Sequence, residues 1–444
     1  MIEIKIKKGI LMKEKTIELF EGINLHVLKT DKFKNNLLAV FMLTDLNREN
    51  VTKNALIPAV LRRGTEKLPT MKDIAVKLED MYGSVFDASS EKMGDKQVIQ
   101  FYIDLLANEY TLDNSDVLKE GAELLCDVML NPVTENIHHC TENSCQMNIG
   151  FNEEYVSQEK ETIKELINSK INDKGSYAIN RATEEMCKDE PYGLYKFGYI
   201  EDLKDITALD LYEHYKTVLA TSEIHIYVSG NINETEIEEV LKNRFQCINR
   251  KYKPENNNEK TKTLLENRIV TEKQNVNQGK LVLGYRVKDA KLIDDMYKMS
   301  LYSAILGGTA SSKLFMNVRE KESLAYTVRS MYLKHKGIMM VTAGIEIDKY
   351  EKALTCIKKE IEDMRIGNIT DEEVEDAKAN LITAYKSFND KQASIINLYM
   401  AQRFLGCVED IDTMIEEIKN VTKEDVVEIA NRLELEITYF LTNN

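Results

Sequence analysis

Apolar positions along the chain switch between the two-residue spacing of a strand and the three-to-four-residue spacing of a helix in a fixed order, and the order occurs twice. The first pass predicts a strand over residues 37–43, an apolar helix over 55–61, a helix over 71–81, a strand over 98–103 and a long helix over 116–129. The second predicts a strand over 281–287, an apolar helix over 299–306, a shorter helix over 312–318, strands around Thr327 and over 339–343, and a long helix over 350–364. Both passes close alike. Thr207 stands three residues before Asp210 and opens a helix followed by the strand IHIYVSG, and Thr422 stands three before Asp425 and opens a helix followed by EITYFLTNN. Thr-x-x-Asp ahead of an apolar periodic run is a helix start, because hydroxyl and carboxylate each satisfy a terminal amide that would otherwise lack a partner.

A duplicated order of this kind predicts an α+β fold: two homologous domains, each a mainly antiparallel sheet covered by helices, arranged about a pseudo-twofold. At 444 residues the chain fits two to four packing units. The stretch 251–260 is rich in Asn and Glu, too polar to bury, and places a linker over 251–278 between domains at 1–250 and 279–444. With 43% hydrophobic and 30% charged residues and only five prolines, the composition is that of a folded, helix-rich protein rather than a disordered one.

Charge narrows the partners. A formal net charge of -15 argues against nucleic acid, which is held mainly by clustered Lys and Arg. The N-terminal segment MIEIKIKKGILMKEK lacks the continuous apolar core of a signal peptide, and no apolar run approaches a membrane span, so a cytoplasmic location is expected. Seven scattered cysteines without a CxxC pair fit reduced thiols better than a disulfide framework.

Two segments carry the candidate chemistry. NALIPAVLRRGTEKLPTMKDIAVKLEDMYGSVFDAS resembles the metal-binding region of the pitrilysin, insulinase and mitochondrial processing peptidase family, in which an inverted His-x-x-Glu-His zinc motif lies on a helix that runs into a Gly-Thr pair. Gly64 and Thr65 correspond to that pair. The resemblance then places the two histidines on Ala55 and Ala59 and the catalytic glutamate on Pro58. If Glu159-Lys160 matches the family's Glu-Arg or Glu-Lys pair, the remaining zinc-ligand position falls on Leu166, beside Glu165, with residues 133–150 standing as an insertion. Two imidazoles four apart on a helix can share a zinc ion whose bound water gives its proton to a nearby carboxylate. Alanine, leucine and proline supply no such atoms, so no metal is expected on this chain.

Other metal-ligating side chains do not form a recognisable set. His138, His139, Cys140 and Cys145, with Glu135 and Glu142, read as an exposed polar insertion, because their spacing meets no zinc pattern. His26, His214, His225 and His335 are isolated and read as structural.

The second segment, LGGTASSKLFMNVREKESLAYTV, resembles the family stretch in which a Gly-rich turn leads a helix ending in Arg-Glu, followed by Leu-Ala-Tyr. Arg319 and Tyr326 match the family arginine and tyrosine. Gly307 and Gly308 are not a phosphate loop, since no Gly-Lys-Ser or Gly-Lys-Thr follows. In two-half members of the family, that pair comes from the half without metal and faces the zinc of the other. A guanidinium can hold a substrate carbonyl, and a phenol can donate to the oxyanion on an attacked carbonyl. The resemblance thus implies that Arg319 and Tyr326 act in trans, on the active site of a zinc-bearing partner.

The resemblance runs from about Ile17 to Leu441 and is nearest to bacterial members that lack the zinc motif and accompany a zinc-motif homologue, including a subgroup named for modification of translation elongation factor P. It implies a non-catalytic subunit of a heteromeric zinc peptidase that forms half of a chamber around a peptide or unfolded polypeptide, with zinc on the partner. A homodimer is allowed for in isolation. The rival readings are a peptide-binding or scaffold protein with no hydrolytic partner, and an independent peptidase with a displaced metal site.

Overall fold

The computed structural model describes residues 14–141, 144–254 and 267–443, without the side chains of 138–146. Two compact units divide these residues: Leu11–Ser169 with Leu194–Asn257 build one, and Lys170–Gly193 belongs with Asn258–Asn444 in the other.

The first unit contains β1 (Glu14–Phe20), β2 (Ile23–Lys29), β3 (Asn35–Asp45), β4 (Val85–Met93), β5 (Lys96–Leu106), a hairpin of β6 (Thr134–Thr141) and β7 (Ser144–Phe151), and β8 (Glu223–Gly230). Its main sheet has the order β1-β2-β8-β3-β5-β4, and only β2 and β8 pair in parallel. Alternation sends Leu38, Val40 and Met42 of β3 to the face that carries α1 (Val51–Leu61), α2 (Met71–Asp80), α3 (Val117–Leu130) and α4 (Glu153–Ser169). Leu56, Ile57, Val60, Leu125 and Val128 meet them there in a single buried cluster.

The second unit contains β9 (Arg268–Lys273), β10 (Gly279–Val287), β11 (Ala325–Leu333), β12 (Ile338–Ile345) and β13 (Leu433–Thr442), in the order β11-β12-β10-β13-β9, with only β9 and β13 parallel. The duplication is visible in this order. β3 and β10 each lie between a later hairpin strand and the strand that follows a threonine-capped helix, and those caps form as the sequence predicts: Thr207 Oγ1 accepts from Asp210 N at 3.0 Å, and Thr422 Oγ1 from Asp425 N at 3.1 Å.

This second sheet is covered on both faces. Leu281, Leu283, Met339 and Val341 face the helices Met296–Ser303, Tyr350–Arg365 and Lys423–Asn431. On the other face, α5 (Lys174–Met186) lays Tyr177, Ala178, Ala182 and Met186 against Val282, Met340, Ile437 and Tyr439. Ion pairs reinforce this packing: Arg286 of β10 bonds Glu436 through Nε at 2.9 Å and Glu190 through Nη2 at 2.7 Å, and Lys336 reaches Glu190 at 3.0 Å.

The structure differs from the sequence pattern in three places. The apolar helix predicted over 299–306 is an α-helix only over Met296–Ser303. It continues as a wider π turn over Ala304–Gly308, and the short helix after it, Leu314–Lys321, is π-helical too. Apolar spacing alone cannot separate i+4 from i+5 bonding. The insertion at 133–150 is a hairpin rather than a polar loop; the side chains of His138, His139, Cys140, Glu142 and Cys145 lie outside the described residues, while Glu135 accepts from Glu153 N at 2.7 Å and so caps α4. Residues 268–273, within the linker expected over 251–278, alternate in burial as β9.

Candidate functional site

α1 is apolar on nearly every face and is buried accordingly. Ala55 is only 3% exposed, Pro58 is buried within the helix and Ala59 is half-buried. The helix continues past Pro58, whose carbonyl still accepts from Arg62 N at 3.2 Å. α4 packs beside it: Arg63 Nε donates to Glu159 Oε1 at 2.5 Å, and the Arg63 guanidinium lies 5.6 Å from the Tyr155 ring centroid. Leu166, near the end of α4, is 41% exposed. None of the four side chains carries a nitrogen, oxygen or sulfur atom, so they do not fit zinc. Among the described residues no group of three or more His, Cys, Asp or Glu is placed to hold a metal ion.

The nearest histidine to this helix has another job. His214 Nε2 and Asn54 Oδ1 are 2.7 Å apart, and Asn54 Nδ2 donates to Gln97 Oε1 and Thr44 Oγ1, each at 3.0 Å. Burial, helped by the Lys53 charge, pushes the His214 imidazole down to about 4. A neutral imidazole tied to an amide anchors α1 over the sheet. This Asn54–Gln97–His214 network was invisible in the sequence, since polar residues 43 and 117 positions from Gln97 give no periodic signal.

Arg319 and Tyr326 stand on a differently built segment. The π-helical residues 314–321 bury Leu314 and Val318 and turn Arg319 outward, where its side chain is 42% exposed. Its guanidinium lies 4.6 Å from the Phe315 ring centroid, and Nε is 3.5 Å from Glu320 Oε1, so two neighbours set its direction without burying it. Lys313, at the start, is buried and reaches Glu373 at 2.9 Å. The chain then reverses through Ser323, which holds φ of 50°, and Leu324 N donates to Val318 O at 2.9 Å.

Tyr326 follows immediately on β11, the edge strand of its sheet. The β11–β12 register skips there, from Ala325 opposite Ile345 to Thr327 opposite Gly344, which leaves Tyr326 in a bulge and 58% exposed. A bulge re-aims one side chain without disturbing the rest of the ladder. The phenol donates to Glu346 Oε1 at 3.4 Å, a long bond to a carboxylate that Lys349 also engages at 3.0 Å. Behind the motif, Gly307 approaches β11 so closely that an added Cβ would lie 2.6 Å from Ser330 N, while Ser330 Oγ donates to Ser303 O at 2.7 Å. The glycine therefore serves close packing, which the sequence shows only as a Gly-rich turn.

A family profile described as "Peptidase M16 inactive domain" matches residues 205–381. The chain is 32% identical over 420 residues to the "Probable inactive metalloprotease YmfF" of Bacillus subtilis (strain 168), covering 95% of this chain and 96% of that protein. It is 22% identical to the "Non-peptidase homolog YmxG" of Helicobacter pylori, over 70% of this chain and 78% of that one. Among solved structures, a conserved protein from Enterococcus faecalis V583 superposes with a TM-score of 0.85 at 27% identity, over 97% of this chain and 99% of that one. A peptidase M16 inactive domain from Pseudomonas fluorescens reaches a TM-score of 0.76 at 16% identity over 98% and 99% of the two chains, a likeness of fold.

Proposed function

This chain belongs to the peptidase M16 family as an inactive metalloprotease homologue, and we propose that it works as the non-catalytic subunit of a heteromeric zinc peptidase. In that assembly it forms half of a chamber that encloses a peptide or unfolded polypeptide, and a zinc-motif homologue supplies the metal. The observation that carries this reading is the contrast between the two segments. α1 offers no donor atom where the family binds metal, yet the Arg319–Tyr326 segment is anchored from behind and exposed in front. An arginine kept only for surface charge needs no such anchoring.

In trans, Arg319 holds a carbonyl or carboxylate of the peptide, and Tyr326 turns its hydroxyl from Glu346 to the oxyanion that forms on the attacked carbonyl. Glu346 then stays paired with Lys349. Among the described residues, Cys126, Cys187, Cys247 and Cys356 are free thiols, which supports a reducing, cytoplasmic setting.

The test is peptide hydrolysis in the presence of zinc, comparing the purified chain with the chain co-purified with a zinc-motif homologue from the same genome. Activity of the complex above that of either protein alone is the expected result. A homologue that turns over equally well without this chain sinks the subunit reading. It moves weight to a non-hydrolytic peptide-binding or scaffold protein, a role that the existing Tyr326–Glu346 bond would also suit.

A further inference from the structure

The face of the second sheet that α5 packs on is apolar at Val282, Met340, Ile437 and Tyr439 but changes character towards β11 and the start of β10. Arg329 of β11 is directly opposite Thr342 of β12, and Thr327 is opposite Gly344, which pairs in turn with Lys280 of β10. Opposed residues share a face. Thr342 pairs with Val282 and Arg329 lies two residues from Met331, both members of the α5-side cluster, so Arg329, Thr342, Thr327 and Lys280 lie on that side. Gln278 joins them, its amide oxygen near the position a Cβ on Gly344 would occupy.

Two cations in this strip form no ion pair with another described residue. Arg329 is exposed and, among the described residues, meets no carboxylate within ion-pair distance. Lys280 is half-buried and donates to the Gln278 amide oxygen rather than to a carboxylate. Burial lowers its pKa, with Asp173 opposing at longer range. That aspartate is already engaged, accepting from Gly175 N at 3.0 Å, Ser176 N at 3.1 Å and Ser176 Oγ at 2.7 Å at the start of α5. A half-buried ammonium held by one neutral acceptor is stabilised by any anion that reaches it.

We infer that this strip is a binding surface for an extended peptide segment bearing carboxylates, beside the Arg319–Tyr326 motif. Arg329 and Lys280 are separated by one intervening strand and one two-residue step, roughly 12 Å between Cα atoms by sheet spacing. In an extended peptide, side chains two to four residues apart on one face span roughly 7 to 14 Å. Two acidic residues at that spacing reach both cations, and Thr327 and Thr342 are placed to bond the backbone between them. The inference rests on reading this chain as a peptide-handling protein and adds the class of peptide.

The overall charge makes the test discriminating, because a chain of net charge -15 attracts basic peptides non-specifically. The experiment measures fluorescence anisotropy of a labelled short peptide alternating Glu and Thr, and of its Lys-Thr counterpart, on the isolated full-length chain at low salt. The Glu-Thr peptide is expected to bind about tenfold more tightly. Arg329→Gln should lose part of that preference, and Arg329→Gln with Lys280→Met should abolish it. Since Arg329 is on an exposed edge, its single variant decides the matter even if the double variant fails to fold.

Binding of neither peptide, a preference for Lys-Thr, or a preference unchanged in Arg329→Gln would overturn the inference. So would aggregation of Arg329→Gln with unchanged preference, which would make Arg329 only a guard against edge-to-edge pairing. Hydrolysis of neutral peptides by the reconstituted complex reports separately on the subunit reading, so either idea can fail while the other stands.

Discussion

Asn317 donates from Nδ2 to Glu360 Oε2 at 2.8 Å, and so ties the back of the helical segment that carries Arg319 to a buried carboxyl on a neighbouring helix. Burial raises the Glu360 pKa, with the Asn317 bond opposing. Asn317→Ala leaves the carboxyl unpaired and should cost about 1–3 kcal/mol in urea unfolding, while Glu360→Gln, which keeps an oxygen acceptor, should cost less. Equal losses for the two variants would mean that packing rather than the hydrogen bond holds the segment.

Arg319→Ala removes an exposed group that supports nothing in the fold. Turnover by the reconstituted complex should fall roughly 10- to 1000-fold, the scale of a lost polar transition-state contact, with co-purification unchanged. Unaltered turnover in an intact complex would remove Arg319 from the reaction.

Gly307→Ala should be felt at β11, since the new methyl group meets a backbone nitrogen that cannot give way. Overpacking of this kind costs about 1–3 kcal/mol. The expected signature is a lowered unfolding midpoint together with faster hydrogen exchange in β11, whereas Gly308→Ala, whose added carbon stays 3.2 Å or more from its neighbours, should be milder.

His214 and His335 are both pushed down to about 4, chiefly by burial, with Lys53 and Lys334 adding to the effect. Between the unfolded value and about 4 the unfolded chain binds protons that the folded chain does not, so stability rises with pH across that window and is lost as pH falls through it. Moving from pH 7 to pH 5 should cost at most about 2 kcal/mol per histidine. His214→Gln should flatten that slope in urea titrations, and a slope unchanged in the variant would assign it elsewhere.

A lower pH window belongs to Glu272. Burial disfavours its charge, but bonds from Tyr177 at 2.6 Å, Tyr439 at 2.8 Å, Gln274 at 2.6 Å and Arg181 at 3.3 Å hold its pKa below the usual range. The same charge and burial push the Tyr177 phenol up to about 12. Because the folded pKa is depressed, the stabilisation is present above the unfolded value and is lost as pH falls below about 4.5 towards it. Hydrogen exchange over 174–186 should accelerate there before the rest of the second unit, and Glu272→Gln should show the same acceleration at neutral pH. Exchange that rises uniformly would contradict a local role.

Much of this was legible because it is local. The two-residue alternation of 37–43 and 281–287 became β3 and β10, the threonine caps at 207 and 422 formed, and the side chains of Ala55, Pro58, Ala59 and Leu166, where the resemblance puts the zinc site, carry no donor atom. Residues 170–193 are another matter. Their composition resembles the rest of 1–250, yet α5 packs on β10 and β13, and Arg286 and Glu272 from distant stretches of chain hold Glu190 and Tyr177 of this segment.

What the sequence by itself determined is the alternation of elements, their duplication, and the family with its missing zinc motif, since each depends on residue identity or short-range spacing. Tertiary structure alone decided which face α5 covers, that Tyr326 stands in a bulge, and that Arg329 and Lys280 share an uncovered strip. The physical reason is register. Strand pairing and burial join residues tens to hundreds of positions apart, and no local pattern records which of those partners will meet.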